Sequence, residues 1–296
     1  MTLRVQQEDR SWVDEVRSVA KIYPILGGKA VLELWSDERL SGIKGYSLRY
    51  FDVERQEWVL WLNWPGDNTS GSSSLAGTFR HGRGEFFASR PGPDGAEVLS
   101  RFTFSDVTAD SLRWDDAFSR DGGKTWTHGW IMEFTRRGGE PSLAPQGGPA
   151  HTFHSGVRCD AEPFRTYEFL VGRHSGVVKS GGAGEVEITG HQVLDGCAVV
   201  TFVGASSSPE RASMFSHLTW NTFASRYELT LLTSEPESPA RIFYSTGDSL
   251  ELYESASGAA PGDRLRIEPQ SEGGFLWVLE SPDAGEWRAV WSGLFR

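Results

Sequence analysis

Apolar residues along this chain fall in short runs rich in aromatic and β-branched side chains, and Gly, Asp, Pro and Ser interrupt them about every ten residues. In the first half such runs cover residues 29–35, 46–51, 58–64, 84–89, 97–104, 111–119 and 125–135. The second half repeats the pattern at 184–194, 197–204, 212–220, 226–233, 240–245, 250–254, 275–279 and 287–295. Runs of this length and composition predict β-strands. Roughly eight or more strands per half, joined by short turns, suit an antiparallel meander closed into a barrel, because closure removes exposed edges. Residues 10–19 are the one stretch whose spacing also admits a helix.

The chain divides. Residues 136–158 read RRGGEPSLAPQGGPAHTFHSGVR, rich in Gly and Pro and without an apolar period, as a linker does. The expected organisation is a barrel over 1–137, a linker over 138–163 and a second barrel over 164–296. Three matches recur in the same order across the break. Leu26-Gly27-Gly28-Lys29-Ala30-Val31 resembles Leu194-Asp195-Gly196-Cys197-Ala198-Val199. Trp58-Val59-Leu60-Trp61-Leu62 resembles Tyr227-Glu228-Leu229-Thr230-Leu231. Each half also closes on Trp-x3-Trp-x3-Phe, at Trp126, Trp130 and Phe134 and at Trp287, Trp291 and Phe295. Their common order argues for an internal duplication. The even spacing of the last motif would place its three aromatics on one face of a strand.

Composition narrows the function classes. With 40 acidic against 29 basic residues the net charge is −11, which repels phosphate backbones and anionic lipid, so neither nucleic acid nor membrane is expected as a partner. The first ten residues, MTLRVQQEDR, carry no apolar run behind a basic flank, and a soluble cytoplasmic protein is expected. The only cysteines, Cys159 and Cys197, read as one exposed and one packed thiol rather than as a bridge. No nucleophile elbow, P-loop, dinucleotide fingerprint or zinc-protease motif occurs, and no cofactor is expected. His151-x2-His154 lacks acidic or thiol companions and makes a poor metal site.

Ser119-Arg120-Asp121-Gly122-Gly123-Lys124-Thr125-Trp126 fits the Asp-box hairpin of sialidase propellers. Because the full box occurs once, it reads as a structural turn capped by the Asp side chain. The wider stretch from Phe118 to Arg136 resembles the closing hairpin of an uncharacterised bacterial family of lipocalin-like (calycin) domains. Phe169-Leu170-Val171-Gly172-Arg173-His174 resembles the Leu-x-Gly-x-Trp opener of such domains, with His174 in place of the Trp, and the first half lacks an opener. The resemblance implies two tandem all-β barrels that hold an apolar small molecule. Some relatives of this kind act as cofactor-free cyclases or isomerases or, like the nitrobindins, bind haem. Fold does not choose among these activities.

Candidate site residues follow from strand parity. Trp35, Trp61, Trp114 and Trp130 are the expected aromatic walls, with Arg49 or Arg101 fixing an anionic or carbonyl end of an apolar ligand or substrate. Asp116 shares a face with Leu112, Trp114 and Phe118; an ion pair with Arg49, Arg101 or Arg113 is the favoured reading, and proton transfer in a cyclase, isomerase or lyase is the alternative. Glu33 and Glu133 are expected on the solvated face, and His217 as a structural imidazole. His128, between Trp126 and Trp130, is the candidate axial ligand for the lower-ranked haem reading.

Overall fold

The structure, a computed structural model, describes residues 2–6, 11–37, 45–63, 74–92, 94–138, 159–160, 162–182, 184–205, 209–247, 249–254 and 262–296. His151 and His154 lie outside the described residues. The first sheet comprises β1 (Thr2–Gln6), β2 (Trp12–Ile25), β3 (Ala30–Asp37), β4 (Gly45–Asp52), β5 (Glu57–Asn63), β6 (Ser74–Arg80), β7 (Arg83–Pro91), β8 (Glu97–Ser105), β9 (Ser111–Ser119) and β10 (Thr127–Thr135). The second comprises β11 (Gly172–Ser180), β12 (Glu185–Val193), β13 (Ala198–Gly204), β14 (Met214–Asn221), β15 (Arg226–Thr233), β16 (Arg241–Ser245), β17 (Glu251–Glu254), β18 (Arg264–Pro269), β19 (Phe275–Asp283) and β20 (Glu286–Phe295). Every pairing is antiparallel between neighbours in sequence, and each sheet returns on itself, β1 against β10 and β11 against β20. Two tandem all-β barrels are therefore present, and the first needs no lipocalin-type opener. The ambiguous stretch at 10–19 contributes to β2, an ordinary strand of the first barrel.

The duplication is visible in detail. Leu26–Gly28 and Leu194–Gly196 form matching 3-10 turns whose leucines take the same left-handed φ, 54° and 55°. Each closing strand carries a bulge near the same place, between His128 and Ile131 in β10 and opposite Leu279 and Glu280 in β20. An arginine caps the first Trp of each closing motif, Arg101 over Trp126 at 4.3 Å and Arg264 over Trp287 at 4.5 Å. A bulge inserts one residue and re-aims what precedes it. Hence Trp130 and Phe134 pack with the first barrel's interior cluster. Trp126 instead meets Arg101 and Phe87 outside, so the three aromatics do not share one face as their spacing suggests.

The second barrel has a core of large aromatics. Tyr227, Phe243, Phe275, Trp277 and Phe295 are all fully buried. A 3-10 helix, Phe164–Leu170, plugs one end; Tyr167 stacks edge-on against Tyr227 at 6.1 Å and donates to the Cys197 carbonyl at 2.9 Å. His174 sets its ring edge-on to Phe275 at 5.2 Å. Gly190 makes the plug fit, since a Cβ there would lie 1.8 Å from the Leu170 carbonyl oxygen. Gly190→Ala is expected to push the plug off the barrel and cost about 3 kcal/mol. Urea unfolding checks this, and a loss below about 1 kcal/mol would mean that the plug moves freely.

The barrels share one apolar core. Leu32, Tyr46 and Leu48 face away from the interior of the first barrel, as Val200, Phe202, Phe215 and His217 do in the second, yet all are buried. Their outer sheet faces pack on one another: the Tyr46 and His217 rings meet edge-on at 5.4 Å, and Lys29 Nζ donates to the carbonyls of Glu235 and Ser238. Strands covered on both sides lose the polar alternation of a one-sided sheet, as β13 does with every residue buried. The segment before the second barrel is tied to it by a disulfide, Cys159–Cys197, where the sequence suggested two separate thiols. Two cysteines 38 positions apart carry no sequence sign of being neighbours. No helix among the described residues is long and apolar enough to cross a membrane.

Candidate ligand cavity

The interior of the first barrel holds a cavity built around a buried ion pair. Glu33 on β3 and Ser47 on β4 are cross-strand partners, and Arg49 lies one inward step further along β4. Ser47 Oγ donates to Glu33 Oε2 at 2.9 Å, and Arg49 Nη2 donates to the same oxygen at 3.0 Å. The guanidinium carbon stands 5.4 Å from the centre of the Phe104 ring, a cation–π contact. Arg49 Nε is buried and has no hydrogen-bond partner among the described residues. An ion pair drawn from water into an apolar wall is tolerated only when its geometry is good, as it is here.

Around this pair lie Trp35, Leu60, Phe102, Trp114 and Phe134. They enclose a cavity of about 430 Å³ counted with the space at its open mouth, of which the centre of a water molecule can occupy about 20 Å³. The closed part thus admits very small groups as it stands, and anything larger must lie toward the mouth. Ile22, Leu62, Phe104, Leu112 and Met132 complete the apolar lining, so the wall's polar groups are Glu33, Ser47 and Arg49.

The strand-parity residues separate into two sets. Trp35, Arg49 and Trp114 line the cavity together, and Trp130 packs against the same cluster. Trp61 does not join them. It sits on the outer face of β5, edge-on to Tyr50 at 5.3 Å and within the core that the two barrels share. Arg101 is outside as well, over Trp126. Glu33, expected on the solvated face, is inside, because the other face of β3 is used up by the second barrel. The signal that could have located it was the apolar character of both faces of that strand, with Leu32 and Leu34 on one and Trp35 on the other.

Among the described residues no arginine pairs with Asp116, in place of the expected Asp–Arg pair. Arg49 spends its charge on Glu33. The Asp116 carboxylate instead accepts from the Gly129 and Trp130 N–H groups, at 3.2 and 2.5 Å, which are the amides freed by the β10 bulge. Burial pushes its pKa up and these two hydrogen bonds oppose the shift. Gly129 allows the approach, since a Cβ there would lie 3.0 Å from Asp116 Oδ1. Asp116 holds a bulge in place and is absent from the cavity lining.

No protein-family model matches the chain, and no curated protein matches it. The chemistry of the cavity therefore has to be read from its own walls.

His128 faces away from the cavity, its Nδ1 lying 3.1 Å from Asp115 Oδ1, because the bulge separates its parity from that of Trp130. Glu133 is exposed, as expected. His217 is fully enclosed between the barrels, with both ring nitrogens unpartnered among the described residues. The Asp-box turn is a structural device: Asp121 accepts from Ser119 Oγ at 2.7 Å and from the N–H and hydroxyl of Thr125 at 2.9 and 2.6 Å. These hydrogen bonds hold its carboxyl down at about 2.

Proposed function

We propose that the first barrel binds a small apolar or aromatic molecule, in the manner of a calycin domain, and that the second barrel serves as its structural partner. One observation carries this reading: the first interior holds an apolar cavity with a single polar cluster, Glu33, Ser47 and Arg49. Binding sites for small molecules have this composition, mostly apolar walls with a few placed polar groups. Trp35 and Trp114 supply flat contact area at low entropic cost, and Arg49 supplies the hydrogen bonds that orient one end.

The enzymatic alternative, a cofactor-free cyclase, isomerase or lyase, needs a titrating group against the ligand. Asp116 is occupied by backbone N–H groups, which favours binding over catalysis. A haem reading would need an imidazole inside the barrel, and His128 lies outside it. Cytoplasmic residence is also a proposal that the Cys159–Cys197 bridge weighs against, since structural disulfides persist in oxidising compartments.

Cavity filling tests the reading. Leu62 lines the cavity and is half-buried, so Leu62→Trp adds bulk that leans into the mouth without overpacking the closed core. Quenching of intrinsic Trp fluorescence by 2-acetylnaphthalene is expected to weaken at least about tenfold in this variant, with the near-ultraviolet dichroism of the fold retained. Undiminished binding in a folded Leu62→Trp protein would place the ligand elsewhere.

A further inference from the structure

Resting on that ligand reading, we infer that the ligand presents a neutral hydrogen-bond acceptor to Arg49, a ketone, ester or amide carbonyl, and not a carboxylate. The argument lies in the charge already inside the wall. Glu33 and Arg49 form a pair at 3.0 Å whose side chains are 10% and 12% exposed, and Ser47 donates to the same carboxylate oxygen. The pair is neutral overall. A carboxylate ligand would share one guanidinium with Glu33 and leave one negative charge uncompensated among Phe102, Phe104 and Trp114. Two carboxylates on one buried cation repel strongly, and desolvating the second is not repaid.

A carbonyl oxygen asks for less. It needs one or two N–H donors and brings no net charge, so it can meet the Arg49 guanidinium without unbalancing the pair with Glu33. Phe104 covers one side of the guanidinium at 5.4 Å, so an acceptor has to come from elsewhere around it. The ligand class is therefore an apolar body that lies toward the mouth and turns one carbonyl to Arg49.

Three matched naphthalenes test this in the full chain, by Trp quenching at pH 7.5: 2-acetylnaphthalene, 2-isopropylnaphthalene and 2-naphthoate. The ketone is expected to bind about fivefold tighter than the hydrocarbon and at least about tenfold tighter than the carboxylate. Glu33→Gln keeps the hydrogen-bonding shape and leaves the cavity cationic, so the order should invert, with the carboxylate gaining about tenfold or more. A second measurement needs no variant. If the neutral form alone enters the wild-type cavity, the apparent affinity for 2-naphthoate should rise about tenfold per unit as pH falls from 7.5 to 5.5. A carboxylate that binds wild type tightest, or whose affinity is flat with pH, overturns the inference and leaves the ligand reading standing. Absence of quenching by all three overturns the ligand reading with it.

Discussion

Acidification from pH 6.5 to pH 4 is expected to cost the folded protein about 3 kcal/mol through one side chain, His217. Burial pushes its pKa from the ordinary 6.5 down to about 3. It faces Tyr46 of the first barrel, flanked in register by Val200 on β13 and Thr230 on β15. None of these is charged in this range. His191, which is opposite Val200 in register, is itself pushed down by burial, and desolvation is the cause of the shift in both cases.

A histidine whose folded pKa is depressed contributes stability that is fully present above its unfolded pKa. That stability is lost as pH falls, at about 1.4 kcal/mol per unit between 6.5 and 3. Since His217 lies where the barrels meet, the lost stability is expected first as separation of the barrels, which would expose Tyr46 and Phe215. Urea midpoints against pH check the slope. His217→Leu removes two buried nitrogens without partners, so it should flatten the acid limb and be as stable as wild type or more stable at pH 7.5. An unchanged acid slope in that variant would exonerate His217.

Removal of the Cys159–Cys197 bridge is the second large effect. The two cysteines are 38 residues apart, and closing a loop of that size lowers the entropy of the unfolded chain by about 4 kcal/mol at 25 °C. The folded state depends on it locally too. Cys197 follows the 3-10 turn at Leu194–Gly196, and its carbonyl accepts from both Tyr167 and Thr219. The bridge thus anchors the segment that leads into the plug. Cys159→Ser, or wild type in dithiothreitol, should lose about 2–4 kcal/mol in urea unfolding, and the loss should fall on the second barrel. Equal stability with and without reductant would show that the bridge is not formed in solution.

Much of the fold is legible without coordinates because side-chain periodicity reports burial locally. The runs at 197–204 and 226–233 correspond to β13 and β15, and the Leu-x-Gly turns and closing motifs found in both halves coincide with duplicated structure. Five strands escaped reading, β1, β2, β6, β11 and β18; β6, β11 and β18 interleave polar or small residues with the apolar ones. The inward placement of Trp35, Arg49 and Trp114 is legible since an interior-facing aromatic or guanidinium keeps its parity along a regular strand.

The sequence by itself determined the strand-rich class, the division into two related halves and the density of aromatics that makes a pocket. Only the tertiary structure decided which outer faces are covered. Trp61 and Glu33 exchanged roles because the second barrel buries the outside of β3–β5, leaving Glu33 to the interior beside Arg49. The β10 bulge separated Trp126 and His128 from Trp130, and a one-residue insertion reverses every side chain before it. The Cys159–Cys197 bridge belongs to the same category. Periodicity is a property of neighbours along the chain, whereas pairing across 38 residues, or across two barrels, is a property of the packed whole.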